Sequence, residues 1–176
     1  MNQQTVTNIG IVILLIAVAV FGYEFTRETE MRQALSHSCC NKKQLDNFVL
    51  ELNTSPCFGR CPAFSLKISS EGKLQVIGKG SVNFSEIQKE LTKEQMNKIG
   101  KLVYASNFFS IQNIYGYHGT GCKSNATDHP SSSWRIAIGE DKNLINYYKG
   151  CFGAPKELGF LETELIKKLE LESELL

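Results

Sequence analysis

Two cysteines held between prolines constrain this chain more than any other feature. The segment Pro56-Cys57-Phe58-Gly59-Arg60-Cys61-Pro62 has φ fixed at both ends by proline, and Gly59 permits a positive φ between the two thiols. Apolar residues alternate with polar ones from Phe64 to Ser69, which is the period of a strand with one buried face. The segment therefore predicts a stiff corner that leads the chain into a sheet.

The chemistry of the cysteines decides how this corner is held. The six cysteines are an even set, but six thiols allow many pairings and the sequence does not choose between them. We take Cys57, Cys61, Cys122 and Cys151 as disulfide candidates. A metal site is the alternative, because Cys57-x3-Cys61 and His118-x3-Cys122 share one spacing and such ligands suit tetrahedral zinc. We favour disulfides, since an oxidising compartment competes for the thiols and tight structural zinc pairs more often have two intervening residues.

The N-terminal region is apolar and predicts attachment to a membrane or export. No charged side chain precedes Glu24, and residues 9–21 are almost wholly aliphatic, so residues 1–25 could form a transmembrane anchor. A cleaved signal sequence stays open, because Ala17-Val18-Ala19 has the form of a cleavage site, although no Lys or Arg precedes the apolar run. We favour an uncleaved anchor.

The orientation of this anchor is subject to two opposing arguments. Basic residues follow the apolar segment, and this favours a cytoplasmic domain, whereas the cysteines favour an extracytoplasmic one. Long domains cross the membrane largely regardless of flanking charge, so we give the cysteines more weight. We predict a single-pass membrane protein with its domain in the periplasm or on the cell surface.

The pattern after residue 47 predicts one α+β domain. A leading strand at Phe48 to Leu52 precedes a hairpin and a helix, which should begin at a capping box between Thr92 and Gln95. A second hairpin starts at Trp134, and a second helix follows Pro155. This order predicts an antiparallel sheet of about five strands with two helices packed on one face. It also predicts an internal ββα repeat.

These elements define the expected domain boundaries. Residues 1–25 would be the membrane anchor or signal sequence, which as an anchor is a transmembrane helix that precedes the domain. Residues 26–47 are mostly charged and polar, with few apolar residues, and this composition predicts a linker. Residues 48–170 form the α+β domain. Residues 171–176 place acids at a helix C-terminus, the unfavourable end of the helix dipole, so this tail should fray.

The long loop between the first helix and the second hairpin holds the candidate binding residues. It is rich in Gly, Ser, Asn and His and has no usable periodicity, and loops of this length are usually functional or mobile. Tyr115, Tyr117 and His118 offer two aromatic rings and an imidazole among glycines, which would suit contact with a peptide or glycan. Asp128 is a further binding candidate, and its alternative role is a turn or capping carboxylate.

Composition and motifs narrow the function classes. The net charge is +1, with 19 basic and 18 acidic side chains, so the chain lacks the electrostatic footprint of a nucleic-acid-binding protein. A thiol nucleophile with a histidine base could be assembled by residue type, but such a triad is recognised by geometry, and no motif here supplies it. We therefore assign no catalytic residue and no cofactor.

Several of these residues resemble a bacterial family known only as a domain of unknown function. The resemblance rests on Pro56-Cys-Phe-Gly-Arg-Cys-Pro62, the strand that follows it, the Leu91-Thr92 helix start, and Thr127-Asp-His-Pro130. It covers residues 48–169, and it implies an exported or membrane-attached protein without naming a reaction or ligand. Cys122 and Cys151 are additional to the family pattern, so a bond between them would be a feature of this chain.

These observations lead to one functional hypothesis and one alternative. We predict a non-enzymatic, membrane-anchored binding or structural module of the cell envelope, with a protein, peptide or glycan partner. The alternative is a thiol-redox or metal-binding protein that uses the Cys57/Cys61 turn.

Overall fold

The computed structural model describes residue 40 and residues 42–59, 61–80, 82–116 and 121–175. The predicted anchor at residues 1–25 and most of the predicted linker lie outside these residues. Within the described part, no helix has the length and apolar character needed to cross a membrane.

Four α-helices, one 3₁₀ turn and nine strands make up the described chain. In chain order they are α1 (Lys42–Asp46), β1 (Val49–Thr54), β2 (Ala63–Ile68), β3 (Lys73–Lys79), β4 (Glu86–Glu90), α2 (Lys93–Ala105), the 3₁₀ turn (Phe108–Ser110), β5 (Ile114–Tyr115), β6 (Ser124–Asn125), β7 (Ser131–Ile138), β8 (Asp141–Tyr148), β9 (Cys151–Phe152), α3 (Lys156–Lys168) and α4 (Glu172–Leu175).

The sheet corrects the prediction of about five antiparallel strands. It has seven strands in the order β4-β3-β2-β1-β7-β8-β5, and it is mixed because β5 pairs parallel to β8. A separate two-stranded sheet pairs β6 with β9. The sequence analysis missed β4 because its polar residues alternate with only one apolar residue, Ile87, and it missed β5 because two residues carry no period.

The predicted ββα repeat is also wrong. After the leading strand β1, three strands of the main sheet (β2, β3 and β4) precede α2, whereas β7 and β8 are followed by β9 before α3. Strand β9 leaves the main sheet to pair with β6, so the two halves use their third strand differently. The leading strand β1 lies between β2 and β7 and joins the halves at the centre of the sheet.

One face of the sheet forms the core with the helices. Strand β7 shows the alternation most clearly, because Ser132, Trp134, Ile136 and Ile138 are buried while Arg135 between them is exposed. Helices α2 and α3 contact each other and bury their apolar stripes in the same cluster. The other face of the sheet carries mostly polar side chains.

The ends of the folded unit hold more structure than the sequence suggests. Helix α2 begins at the predicted capping box, in which the Thr92 hydroxyl accepts from the Gln95 N–H and the Gln95 side chain accepts from the Thr92 N–H. Cys40 belongs to the core before β1. The tail that was expected to fray forms α4, and Leu171 and Leu175 are buried.

Candidate functional site

Several loop connections of the chain meet at one end of the sheet. Strand β1 ends there at Thr54 and β7 begins there at Ser131, because β1 and β7 pair in antiparallel register. The chain between β1 and β2 and the chain after β5 leave from this same end. We call it the disulfide end, since both disulfides described below lie in its connections.

The corner predicted from the sequence is closed by a bond between Cys57 and Cys61. Their Cα atoms are 5.6 Å apart, and we call this bond the short-loop disulfide. Gly59 has φ 152°, and its N–H donates to the Cys57 carbonyl at 3.0 Å. Phe58 projects from the loop with 93% of its surface exposed. A large apolar side chain is thus held in water on a loop that cannot easily rearrange.

A buried threonine fixes this loop to the sheet. The hydroxyl of Thr54 accepts from the Phe64 N–H at 2.9 Å and donates to the Pro62 carbonyl at 3.1 Å. Thr54 is at the end of β1, whereas Pro62 and Phe64 bracket the start of β2. One side chain therefore ties both strands to the exit of the disulfide loop.

The two segments that carried the family resemblance are neighbours. The Ser55 N–H donates to the Ser131 carbonyl at 2.8 Å, and the Ser131 N–H donates to the Ser55 hydroxyl at 2.8 Å. Ser55 precedes Pro56 of the cysteine corner, and Ser131 follows Pro130 of the Thr127–Pro130 segment. These reciprocal bonds set the two segments side by side.

The turn that contains Asp128 is fixed by a tyrosine of β8. Tyr148 donates its hydroxyl to the Ala126 carbonyl at 2.8 Å, and the same oxygen accepts from the His129 N–H at 3.2 Å. The rings of His129 and Tyr148 meet edge to face. Asp128 is exposed with φ 62°, the left-handed conformation that Asp tolerates in turns. The geometry suits the turn role that was the alternative to binding.

A second bond joins Cys122 to Cys151, with their Cα atoms 5.3 Å apart. We call it the long-loop disulfide because 29 residues separate its ends. It holds the chain before β6 against the start of β9, which are the strands of the small sheet. Cys40 is disulfide-bonded as well, so none of the described cysteines is a free thiol. The disulfides predicted from the sequence are present.

The other sequence-predicted residues divide into two groups. Tyr115 is buried in β5, with 7% of its surface exposed, and it lines the cavity described next. Tyr117 and His118 lie outside the described residues. Of the proposed metal ligands, Cys57, Cys61 and Cys122 are in disulfides, so their thiolates are not available to a metal ion in this structure.

A cavity of about 310 Å³ opens at the disulfide end. Asn53, Ser133 and Asn146 are direct neighbours on three adjacent strands, so their side chains form one row on the polar face. The next row contains Ser131 and Tyr148. All of these residues line the cavity, together with Thr54, Ser55, Tyr115 and Tyr147, and none of the residues that the structure places around it is charged.

Charged residues lie beside this cavity. On the polar face, Glu51 is 3.3 Å from the Lys67 ammonium and 3.6 Å from the Arg135 guanidinium, one row away from Asn53. The Lys79 ammonium donates to the Asn53 Oδ1 at 3.5 Å, so a positive charge also lies next to the cavity. On the helix side, Lys149 and Glu162 form an ion pair at 2.6 Å.

The pKa of one cavity tyrosine is shifted. Burial raises the pKa of Tyr147, and the negative charge of Glu162 raises it further. The Tyr147 hydroxyl therefore stays protonated well above neutral pH and can donate a hydrogen bond.

Most residues of this cavity were not predicted from the sequence. Asn53, Ser133 and Asn146 belong to strands that pair only in the folded sheet, and their proximity depends on register. Their signal was weak, since each is a polar residue on the solvent side of an alternating strand. The two tyrosines at the end of β8, next to a run of three serines at the start of β7, were the available clue.

A family profile described as a domain of unknown function, DUF6438, matches residues 48–169. The chain belongs to this family. The DUF6438 domain starts just before β1 and ends just after α3, so it contains the whole sheet, the cavity and both disulfides. The predicted membership in a domain-of-unknown-function family is confirmed. No curated protein matches the chain.

Proposed function

We propose that this DUF6438 protein is a non-enzymatic binding module that works outside the cytosol and contacts its partner through the disulfide end. The observation that carries the proposal is the bracing of this end by two disulfides, one on each side of an uncharged cavity. Rigid loops lose less conformational freedom on binding, so more of the contact energy remains as affinity.

Phe58 supports a contact role for the short loop. An exposed apolar residue is common on proteins, but this one is 93% exposed on a loop closed by a disulfide and fixed by Thr54. Aromatic side chains that a partner can bury are frequent centres of binding energy. Because this loop is already ordered, a partner that binds Phe58 loses little affinity to the ordering of the loop.

The disulfides also support the proposed location. Disulfides persist outside the cytosol and are rare inside it. The apolar run at residues 9–21 agrees with export, as either a retained membrane anchor or a leader. We therefore propose that the domain lies in the cell envelope, on the outer side of the membrane.

Location and thiol state are tested together in cells that express the full chain. The cells are quenched with acid, and free thiols are labelled with a maleimide polymer, with a reduced sample as the control. We expect no labelling without reduction, and we expect externally added protease to degrade the domain once the outer layers are made permeable. A steady fraction of reduced Cys57 and Cys61 would favour the thiol-redox alternative, and a protected, fully reduced domain would refute the location.

Binding is tested with a photo-cross-linking amino acid at Phe58. The matched control carries it at Phe160, which is 36% exposed on α3. Illumination of intact cells should give a discrete adduct from position 58 and none from position 160. Equal adducts from both positions, or none from position 58, would contradict the proposed contact surface.

A further inference from the structure

We propose that the cavity at the disulfide end binds an uncharged, polyhydroxylated ligand, a neutral saccharide unit. This inference rests on the proposed function, because it names the ligand class of the same surface. It is carried by the chemistry of the lining and the register of the polar rows.

The lining favours a neutral, hydroxyl-rich ligand over the other common ligand classes. Phosphate and carboxylate ligands are bound by Arg, Lys or clustered N–H groups, and cations by carboxylates, but the side chains around the cavity are hydroxyls, amides and phenols. A purely apolar ligand would leave those polar groups without partners in a closed site. A neutral ligand with many hydroxyl groups satisfies them and needs no counter-charge.

The polar rows match such a ligand in geometry. Asn53, Ser133 and Asn146 follow one another across β1, β7 and β8, at the spacing of about 4.8 Å between neighbouring strands. An amide offers a donor and an acceptor, so an Asn can bond two neighbouring hydroxyls at once. The Asn53 oxygen already accepts from the Ser65 hydroxyl at 2.6 Å and from the Lys79 ammonium at 3.5 Å, which leaves its NH₂ group to donate to a ligand.

An aromatic side chain completes the site. Tyr148 lines the cavity on the same face as Asn146, and a tyrosine ring provides broad, rigid contact area with a polar tip. The C–H faces of a pyranose ring pack on such rings while its hydroxyls meet the amides. The volume of about 310 Å³ is at the lower end of small-molecule sites, so it fits one or two sugar rings.

Two other cavities show that this lining is distinctive. One, of about 360 Å³, includes Asp46, Glu71 and Lys93 in its wall. Another, of about 400 Å³, includes Lys89 and Glu90. Both therefore carry fixed charges that a neutral sugar would have to desolvate, whereas the cavity at the disulfide end does not.

The test is calorimetric titration of the oxidised full chain with three neutral trisaccharides: maltotriose, cellotriose and triacetylchitotriose. Trigalacturonate serves as the charged comparison. We expect saturable binding of at least one neutral trisaccharide and weaker or no binding of trigalacturonate. Absence of binding by all three neutral sugars, or preference for trigalacturonate, would overturn the inference.

Two variants test whether the sugar binds in the cavity. Asn146→Ala should weaken binding at least tenfold, whereas Leu144→Ala, two residues along the same strand on the same face and 45% exposed, should leave it within twofold. Unchanged emission from Trp134 shows that both variants are folded. Equal losses in the two variants, or none in Asn146→Ala, would refute the assignment.

The failures of the two proposals are distinguishable. If no sugar binds but position 58 still cross-links in cells, only the ligand class is wrong. If sugars bind while the cysteines are found reduced in cells, the ligand class stands and the proposed location fails.

Discussion

Replacing Thr54 with valine should test how the cysteine corner is attached to the sheet. Valine has nearly the shape of threonine but cannot accept a hydrogen bond. In the structure the Thr54 hydroxyl accepts from the Phe64 N–H at 2.9 Å and donates to the Pro62 carbonyl at 3.1 Å, and Thr54 is 4% exposed. The substitution therefore leaves a buried N–H without its partner.

The expected loss follows from that unpaired donor. A buried polar group left without a partner costs about 1–3 kcal/mol, so the free energy of unfolding should fall by about 2 kcal/mol for Thr54→Val. Thr54→Ser keeps the hydroxyl and removes one methyl group, which should cost about 0.8 kcal/mol. The hydrogen-bond argument thus predicts that valine is worse than serine, whereas an argument from packing alone predicts the reverse.

Urea denaturation of the oxidised full chain provides the measurement. Trp134 is the only tryptophan and is fully buried, so its emission reports unfolding. With a denaturant slope of about 2 kcal/mol per molar urea, Thr54→Val should lower the midpoint by about 1 M. Thr163→Val is the matched control, since Thr163 is exposed on α3, and it should change stability by less than about 0.5 kcal/mol. A Thr54→Val midpoint at or above that of Thr54→Ser would refute the reasoning.

Three further predictions use the same denaturation assay. Gly159→Ala should stabilise the chain by about 1 kcal/mol, because Gly159 is in a helix and an added Cβ would meet open space. Gly78→Ala should lower the free energy of unfolding by about 1–3 kcal/mol, because its Cβ would meet the Phe84 carbonyl. Equal effects of the two substitutions would contradict this reasoning. Replacing both cysteines of the short-loop disulfide by serine should lower the free energy of unfolding by about 2 kcal/mol, and the same change in the long-loop disulfide should lower it by about 3.6 kcal/mol, because the longer loop loses more entropy when it is closed. A larger loss for the short-loop pair would contradict this entropic account. Burial and the hydrogen bond to Asp141 raise the pKa of Tyr104 to about 12, so the stabilisation from the neutral phenol is complete below pH 10 and is lost as pH rises towards 12. Tyr104→Phe should therefore reduce the loss of stability between pH 10 and 12. An unchanged dependence of stability on pH in this variant would contradict the prediction.

Local sequence signals predicted the parts of the fold that depend on neighbouring residues. The capping box at Thr92 and the apolar stripe that follows it lie within one helix, so their spacing alone indicates α2. The corner at Cys57 was equally predictable, because proline fixes φ locally and glycine permits a positive φ.

Parts of the fold that depend on distant pairing were not predictable. Strand β4 has no buried run of its own, and it forms because its backbone pairs with β3. The tail buries Leu171 and Leu175 in a core whose shape the sequence does not show. The cavity was not predictable for the same reason. Asn53 and Asn146 are 93 positions apart in the sequence, and only the strand β7 between them brings them into one row.

The place of the candidate site follows from the topology. Tight turns at Gly72 and Gly139 join β2 to β3 and β7 to β8 at the end of the sheet opposite the disulfides. The connections that follow β1 and β5 leave from the other end of the sheet. Longer connections are free to vary in length and carry polar side chains, but they lose rigidity. The two disulfides restore that rigidity where the topology has concentrated the loops, and this is why a binding surface in this fold is expected there and not at the turn end.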